Sequence, residues 1–101
     1  MPGWQGVRRD ERKPFEATVG VLVAGRSAGA HGCNISRHGA CITCPFKLGR
    51  GDAMQLDLSA LGAGMRAAIV RHAHKEHNDF VVGVEFFVPL TADELDILAH
   101  D

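Results

Sequence analysis

Ala53-Met54-Gln55-Leu56-Asp57-Leu58 is the stretch on which the fold reading turns. Met54, Leu56 and Leu58 alternate with Gln55 and Asp57, the period of two that sends one row of side chains toward a core and the other toward water. The segment reads as a half-buried strand. Gly49, Gly51 and Asp52, within Leu48-Gly49-Arg50-Gly51-Asp52, mark the turn that precedes it.

The same pattern recurs on both sides of this strand. From Phe15, the residues Ala17, Val19, Val21 and Val23 alternate with Thr18, Gly20, Leu22 and Ala24, a first strand that is fairly apolar on both faces. Gly25-Arg26-Ser27-Ala28-Gly29 predicts the turn after it. A second strand is expected over residues 30–35 and a third over 40–44, joined by the loop from Asn34 to Gly39 and stopped by Pro45. Beyond the quoted stretch, residues 65–72 and 80–88 read as a fifth and a sixth strand around a polar hairpin tip, His74-Lys75-Glu76-His77-Asn78-Asp79.

The last segment breaks the pattern. Thr91 with Glu94 fits a capping box, and Leu90 with Leu95 fits the hydrophobic staple around it, so a short helix is expected to start there. Leu95 and Leu98, with Ile97 beside them, give it an apolar side to lay against a sheet. The fold expected is therefore all-β, a six-stranded antiparallel β-barrel with a short C-terminal α-helix.

Composition bounds the rest. A chain of 101 residues that is 46% hydrophobic suits one core in one domain. Eleven Lys and Arg are offset by twelve Asp and Glu, for a net charge of −1, which argues against nucleic-acid binding through a broad basic face. The basic charge is instead focal, with Arg8, Arg9, Arg12 and Lys13 close together. The sequence shows neither a secretory signal pattern nor a run approaching the roughly 20 apolar residues of a membrane span, so a cytoplasmic protein is expected. Three cysteines cannot all pair within the chain; they read as reduced, small core residues.

Residues 1–14 hold Pro2, Gly3, Gly6 and Pro14 among charged side chains, and only Met1, Trp4 and Val7 are sizeable apolar groups. The expectation is a flexible ligand-binding segment, mobile without a partner, ahead of a barrel domain over 15–101. Arg8 and Arg12 place two guanidiniums at i and i+4 in it, and guanidiniums grip phosphate oxygens bidentately or stack on bases. Taken alone they are a solvated basic tail. Asn34, Ser36 and Gly39 alone are likewise an ordinary turn, since Asn and Ser bond their own backbone and Gly supplies unusual φ angles.

Together the two segments, on either side of one strand and turn, resemble the PilZ domain family over nearly the whole chain. The family carries an R-x-x-x-R segment before the first strand and an Asp- or Asn-x-Ser-x-x-Gly segment between the second and third; here these are Arg8 to Arg12 and Asn34 to Gly39. Leu48 to Asp52 and Val82-Gly83-Val84-Glu85-Phe86 also look like family patterns. The resemblance implies a receptor, not an enzyme, that binds cyclic di-GMP and relays the signal to an effector protein. On it, Arg8 and Arg12 contact phosphates and guanines with Arg9 assisting, and Asn34, Ser36 and the backbone at Gly39 read the other side of the ligand. No cofactor is implied.

Two other readings stay open at this point. One is a PilZ-like protein-interaction domain that works without nucleotide. The other is a zinc- or redox-responsive regulator built on cysteines and histidines. Cys41-x-x-Cys44, with Cys33, His31 and His38 nearby, looks like half a zinc site, but on a strand positions 41 and 44 face opposite ways. His72 and His74 share a strand face with His77 following, which is also the look of an exposed polar hairpin.

Overall fold

A computed structural model describes residues 12–99 of the chain. Its strands are β1 (Lys13–Pro14), β2 (Thr18–Val23), β3 (Arg26–Ile35), β4 (Gly39–Cys44), β5 (Ala53–Leu58), β6 (Gly64–Glu76) and β7 (Asp79–Phe86), followed by the helix α1 (Ala92–Leu98). Every pairing is antiparallel, and the order β3-β2-β5-β6-β7-β4 closes on itself because β4 also pairs with β3. The result is a closed six-strand antiparallel barrel with one short helix, as the alternation implied. Closure leaves the six long strands no free edge.

The strand Ala53–Leu58 behaves as its alternation requires. Met54, Leu56 and Leu58 are buried while Ala53 and Gln55 are exposed. Ile35, Ile42, Val21, Val70 and Val82 complete the barrel interior, each without solvent exposure. At the C-terminal end, Thr91 Oγ1 accepts from the Glu94 amide at 3.1 Å and Glu94 Oε1 accepts from the Thr91 amide at 2.9 Å, so the capping box is formed. Leu90, Leu95 and Leu98 join the core, whereas Ile97 is half exposed and faces away. An Arg66–Glu94 ion pair ties α1 to β6.

Several boundaries differ from the expectation. The turn after β2 is only Ala24-Gly25, both at positive φ, so β3 starts at Arg26 and not at residue 30. That signature fits a type I′ turn, whose twist matches the two strands and lets them pair from Val23–Arg26 onward despite the weak strand formers Ser27, Ala28 and Gly29. Likewise β6 and β7 pair out to Glu76–Asp79 around His77-Asn78, a tip much shorter than residues 74–79. β7 stops at Phe86, leaving Phe87 and Val88 exposed. The ladder beside β3 already begins at Lys13, and Phe15 is buried.

The cysteines correct the sequence reading in two cases out of three. Cys44 is a core residue, with its thiol donating to the Phe46 carbonyl. Cys41 is only partly covered, and Cys33 is exposed on the outer face. The reason lies in strand phase. Ala40, Ile42 and Cys44 point inward along β4, which sends Cys41 and Thr43 outward. Among the described residues no group of three or more His, Cys, Asp or Glu is placed to hold a metal ion, and no helix is long and apolar enough to cross a membrane.

Candidate functional site

Two bulges build the site. In β3 the pairing jumps from Gly32–Ile42 to Asn34–Cys41, with Cys33 as the extra residue. An unbroken strand would send positions 30, 32 and 34 inward together; the added residue flips the phase, so Asn34 turns outward and Ile35 inward. In β6 the pairing jumps from Val70–Val84 to His72–Gly83, with Arg71 as the extra residue. The same shift turns His72 outward while Ala73 faces the core cluster.

The registers then align these residues. Asn34 pairs with Cys41, Cys41 with Gly83, and Gly83 with His72, one row across β3, β4, β7 and β6 on the outside of the barrel. The His72 ring lies over Gly83, where a Cβ would run into it. At the other end of the row, β1 pairs Lys13 with Ile35, which carries Arg12 past the end of β3. There the Arg12 guanidinium donates to Asn34 Oδ1 at 2.8 Å.

The hairpin loop between β3 and β4 forms the lower lip. Its closing bond runs from the Ser36 amide to the Gly39 carbonyl at 2.8 Å, and the Ser36 hydroxyl reaches the same carbonyl at 3.4 Å. Ser36 is the sole buried polar side chain among the described residues. The loop is anchored from behind. The Leu90 amide donates to the Arg37 carbonyl at 2.7 Å, Arg37 Nε donates to the Leu90 carbonyl at 3.0 Å, and the Phe86 amide donates to the His38 carbonyl at 2.8 Å. Arg37 is thus a tether between the loop and the entry to α1.

Between loop and row lies a cleft of about 240 Å³ whose walls include Arg12, Ser36, His38, Arg71, His72 and Glu85. Arg71 Nε donates to Glu85 Oε1 at 2.6 Å, an exposed pair that sets the Arg71 fork at the rim. The arrangement offers guanidiniums at two rims, an imidazole face, a serine hydroxyl and an amide. Groups of these types make charge-assisted hydrogen bonds to anions and stack on planar rings.

Of the residues expected from sequence, Arg12, Asn34, Ser36 and Gly39 are brought together here. Arg8 and Arg9 lie outside the described residues. Gly39 has a barrel reason for being glycine: a Cβ there would collide with the Val84 carbonyl on β7. Arg71, His72 and Glu85 are additions that the sequence reading did not assign to the site. Gly83 carried the signal for them, since a glycine inside a strand marks a bulge or a close approach. His74 and His77 stand apart: His74 is 3.5 Å from Glu76 and His77 occupies the hairpin turn.

Comparison with known proteins agrees with this fold. Among solved structures, the chain is similar to the Bacillus subtilis inhibitor of motility MotI/DgrA, with a TM-score of 0.68 and 16% identity over 90% of this chain and 47% of that one. It is similar also to MrkH, described as a c-di-GMP-dependent transcription regulatory factor, with a TM-score of 0.57 and 15% identity over 89% of this chain and 47% of that one. The chain therefore spans about half the length of each. No curated protein matches the sequence. The family model for the PilZ domain matches residues 7–100, and with that match over nearly its full length the chain belongs to the PilZ domain family.

Proposed function

We propose that this domain is a receptor for cyclic di-GMP that passes ligand occupancy on to a partner protein. The observation that carries the reading is the Arg12–Asn34 hydrogen bond, which brings the last residue of the arginine segment into contact with the Asn-x-Ser-x-x-Gly loop beside one cleft. Arg12 supplies a fork for a phosphate, Ser36 and Asn34 supply polar contacts, and Arg8 and Arg9 supply further guanidiniums from the preceding segment. His72, whose exposed ring lies over Gly83, offers an imidazole against which a guanine stacks. MrkH, by its description a c-di-GMP-dependent factor, supports the ligand class. A fold shared at this level of identity does not by itself carry function, which is why the site residues bear the weight.

Isothermal titration with cyclic di-GMP, using GTP and cyclic GMP as controls, tests the proposal. Wild type is expected to bind the cyclic dinucleotide selectively. Arg12→Ala removes charge-assisted bonds worth about 1.5–3 kcal/mol, or roughly 10- to 100-fold in affinity. Arg12 is exposed, so the thermal midpoint should stay close to that of wild type. Absence of binding by wild type, or undiminished binding by the variant, would remove the reading and leave a nucleotide-independent adaptor in its place. Trp4 is the only tryptophan, and its emission is expected to change on titration if the arginine segment engages the ligand.

A further inference from the structure

We propose that Cys33 and Cys41 form a reversible disulfide across β3 and β4, closed by a small peroxide and reopened by a thiol reductant.

The bulge supplies the geometry. Cys41 pairs with Asn34, and the bulge sets Cys33 opposite Cys41 as well, so the two cysteines are neighbours across the β3–β4 seam that a disulfide of roughly 4.4–6.8 Å between Cα atoms has to span. Both side chains point to the outer face. Cys33 Sγ lies 3.5 Å from Thr43 Oγ1, itself an outward residue of β4 two positions from Cys41, and Cys33 is near enough to help raise the Cys41 thiol. Cys44 is excluded from the pair because it points into the core, with its Sγ at the Phe46 carbonyl.

The two thiols differ in a way that assigns their roles. Cys33 is exposed and meets the oxidant first. Burial, with Cys33 alongside, pushes the Cys41 thiol up to about 11, so at neutral pH it is protonated and acts second. In the first step the Cys33 sulfur attacks a peroxide oxygen; the S–O bond forms, the O–O bond breaks, and the departing hydroxide takes the Cys33 proton as water. In the second, the Cys41 sulfur attacks the resulting sulfenic acid; the S–S bond forms, the S–O bond breaks, and hydroxide leaves with the Cys41 proton as a second water. Hydrogen peroxide is reduced by two electrons and the two thiols supply them. Thiol–disulfide exchange reverses the bond. Closed, it pins the bulge that turns Asn34 toward Arg12.

The test treats the full chain with a slight excess of hydrogen peroxide and reads intact mass, titratable thiols in denaturant and a non-reducing peptide map. The expected result is loss of two hydrogens, a fall from three thiols to one, a linked Cys33–Cys41 peptide, and full recovery with dithiothreitol. Cys41→Ser should divert Cys33 to an oxygen adduct or an intermolecular link. Three unreacted thiols in the wild type would overturn the proposal. So would oxygen addition at Cys33 without a link to Cys41, a bond that includes Cys44, or a Cys33-linked dimer as the main product.

Discussion

The bulges in β3 and β6 do the same thing to the chain and use glycine in opposite directions. Each inserts one residue, Cys33 or Arg71, and each turns a polar side chain outward that would otherwise have pointed at the core: Asn34 in one case, His72 in the other. In β3 the glycine is on the inside. A Cβ at Gly32 would strike the Phe15 ring and the Phe15 carbonyl, so this glycine exists to let a buried aromatic lie against the sheet. In β6 the glycine belongs to the partner strand and faces out, where Gly83 makes a bed for the exposed His72 ring. One device seals the barrel and the other shapes its outer surface beside the cleft. A strand glycine therefore has to be assigned by the face on which its missing side chain would stand.

Substitution at Gly32 should give the largest effect. Gly32→Ala forces either the buried Phe15 ring or its backbone to move, and overpacking of this kind is expected to cost about 3 kcal/mol in urea unfolding. A loss below about 1 kcal/mol would mean that Phe15 is not the wedge described. Gly83→Ala is the counterpart. The His72 ring can swing into solvent and alanine is the better strand former, so stability should stay within about 1 kcal/mol of wild type. The surface should suffer instead, with weaker cyclic di-GMP binding by titration. If the lost bed is the cause, His72→Ala should weaken binding by a similar factor and the double variant no further; additive losses would separate the two residues.

The smallest effect comes from acid and acts at neither bulge. The Thr91 amide, and then the Arg66 guanidinium, hold the Glu94 carboxyl below its ordinary value of 4.5. A carboxyl depressed in the folded state contributes stability that is present above its unfolded value and disappears as pH falls through the folded one. Urea midpoints should therefore decline below about pH 4.5, in parallel for wild type and both glycine variants. A Glu94→Gln chain should show a shallower decline, because it has no carboxyl at that position to protonate.

How much of this was legible follows from which signals are local. Period-two alternation in Ala53–Leu58, and the box from Thr91 to Glu94, are set by neighbours in sequence, and both appear in the fold as read. The Ala24-Gly25 turn was hidden because the weak strand formers after it look like more turn; their pairing is decided by partners on β2. The bulges were hidden for a deeper reason. One inserted residue leaves no compositional mark, yet it reverses the facing of everything beyond it. The Asn34-to-Gly39 loop was found because its chemistry is contiguous, whereas Arg71, His72 and Glu85 meet only through the β6–β7 register.

Arg37 gives the molecule a mechanical property that its exposed position conceals. Main-chain and side-chain bonds to Leu90 rivet the Ser36–Gly39 bend to the residue immediately before the helix cap. The tail of the chain therefore buttresses the lip of the cleft, and damage to Leu90 would be felt more than fifty residues upstream in sequence, as a slackened hairpin, before the barrel itself gave way.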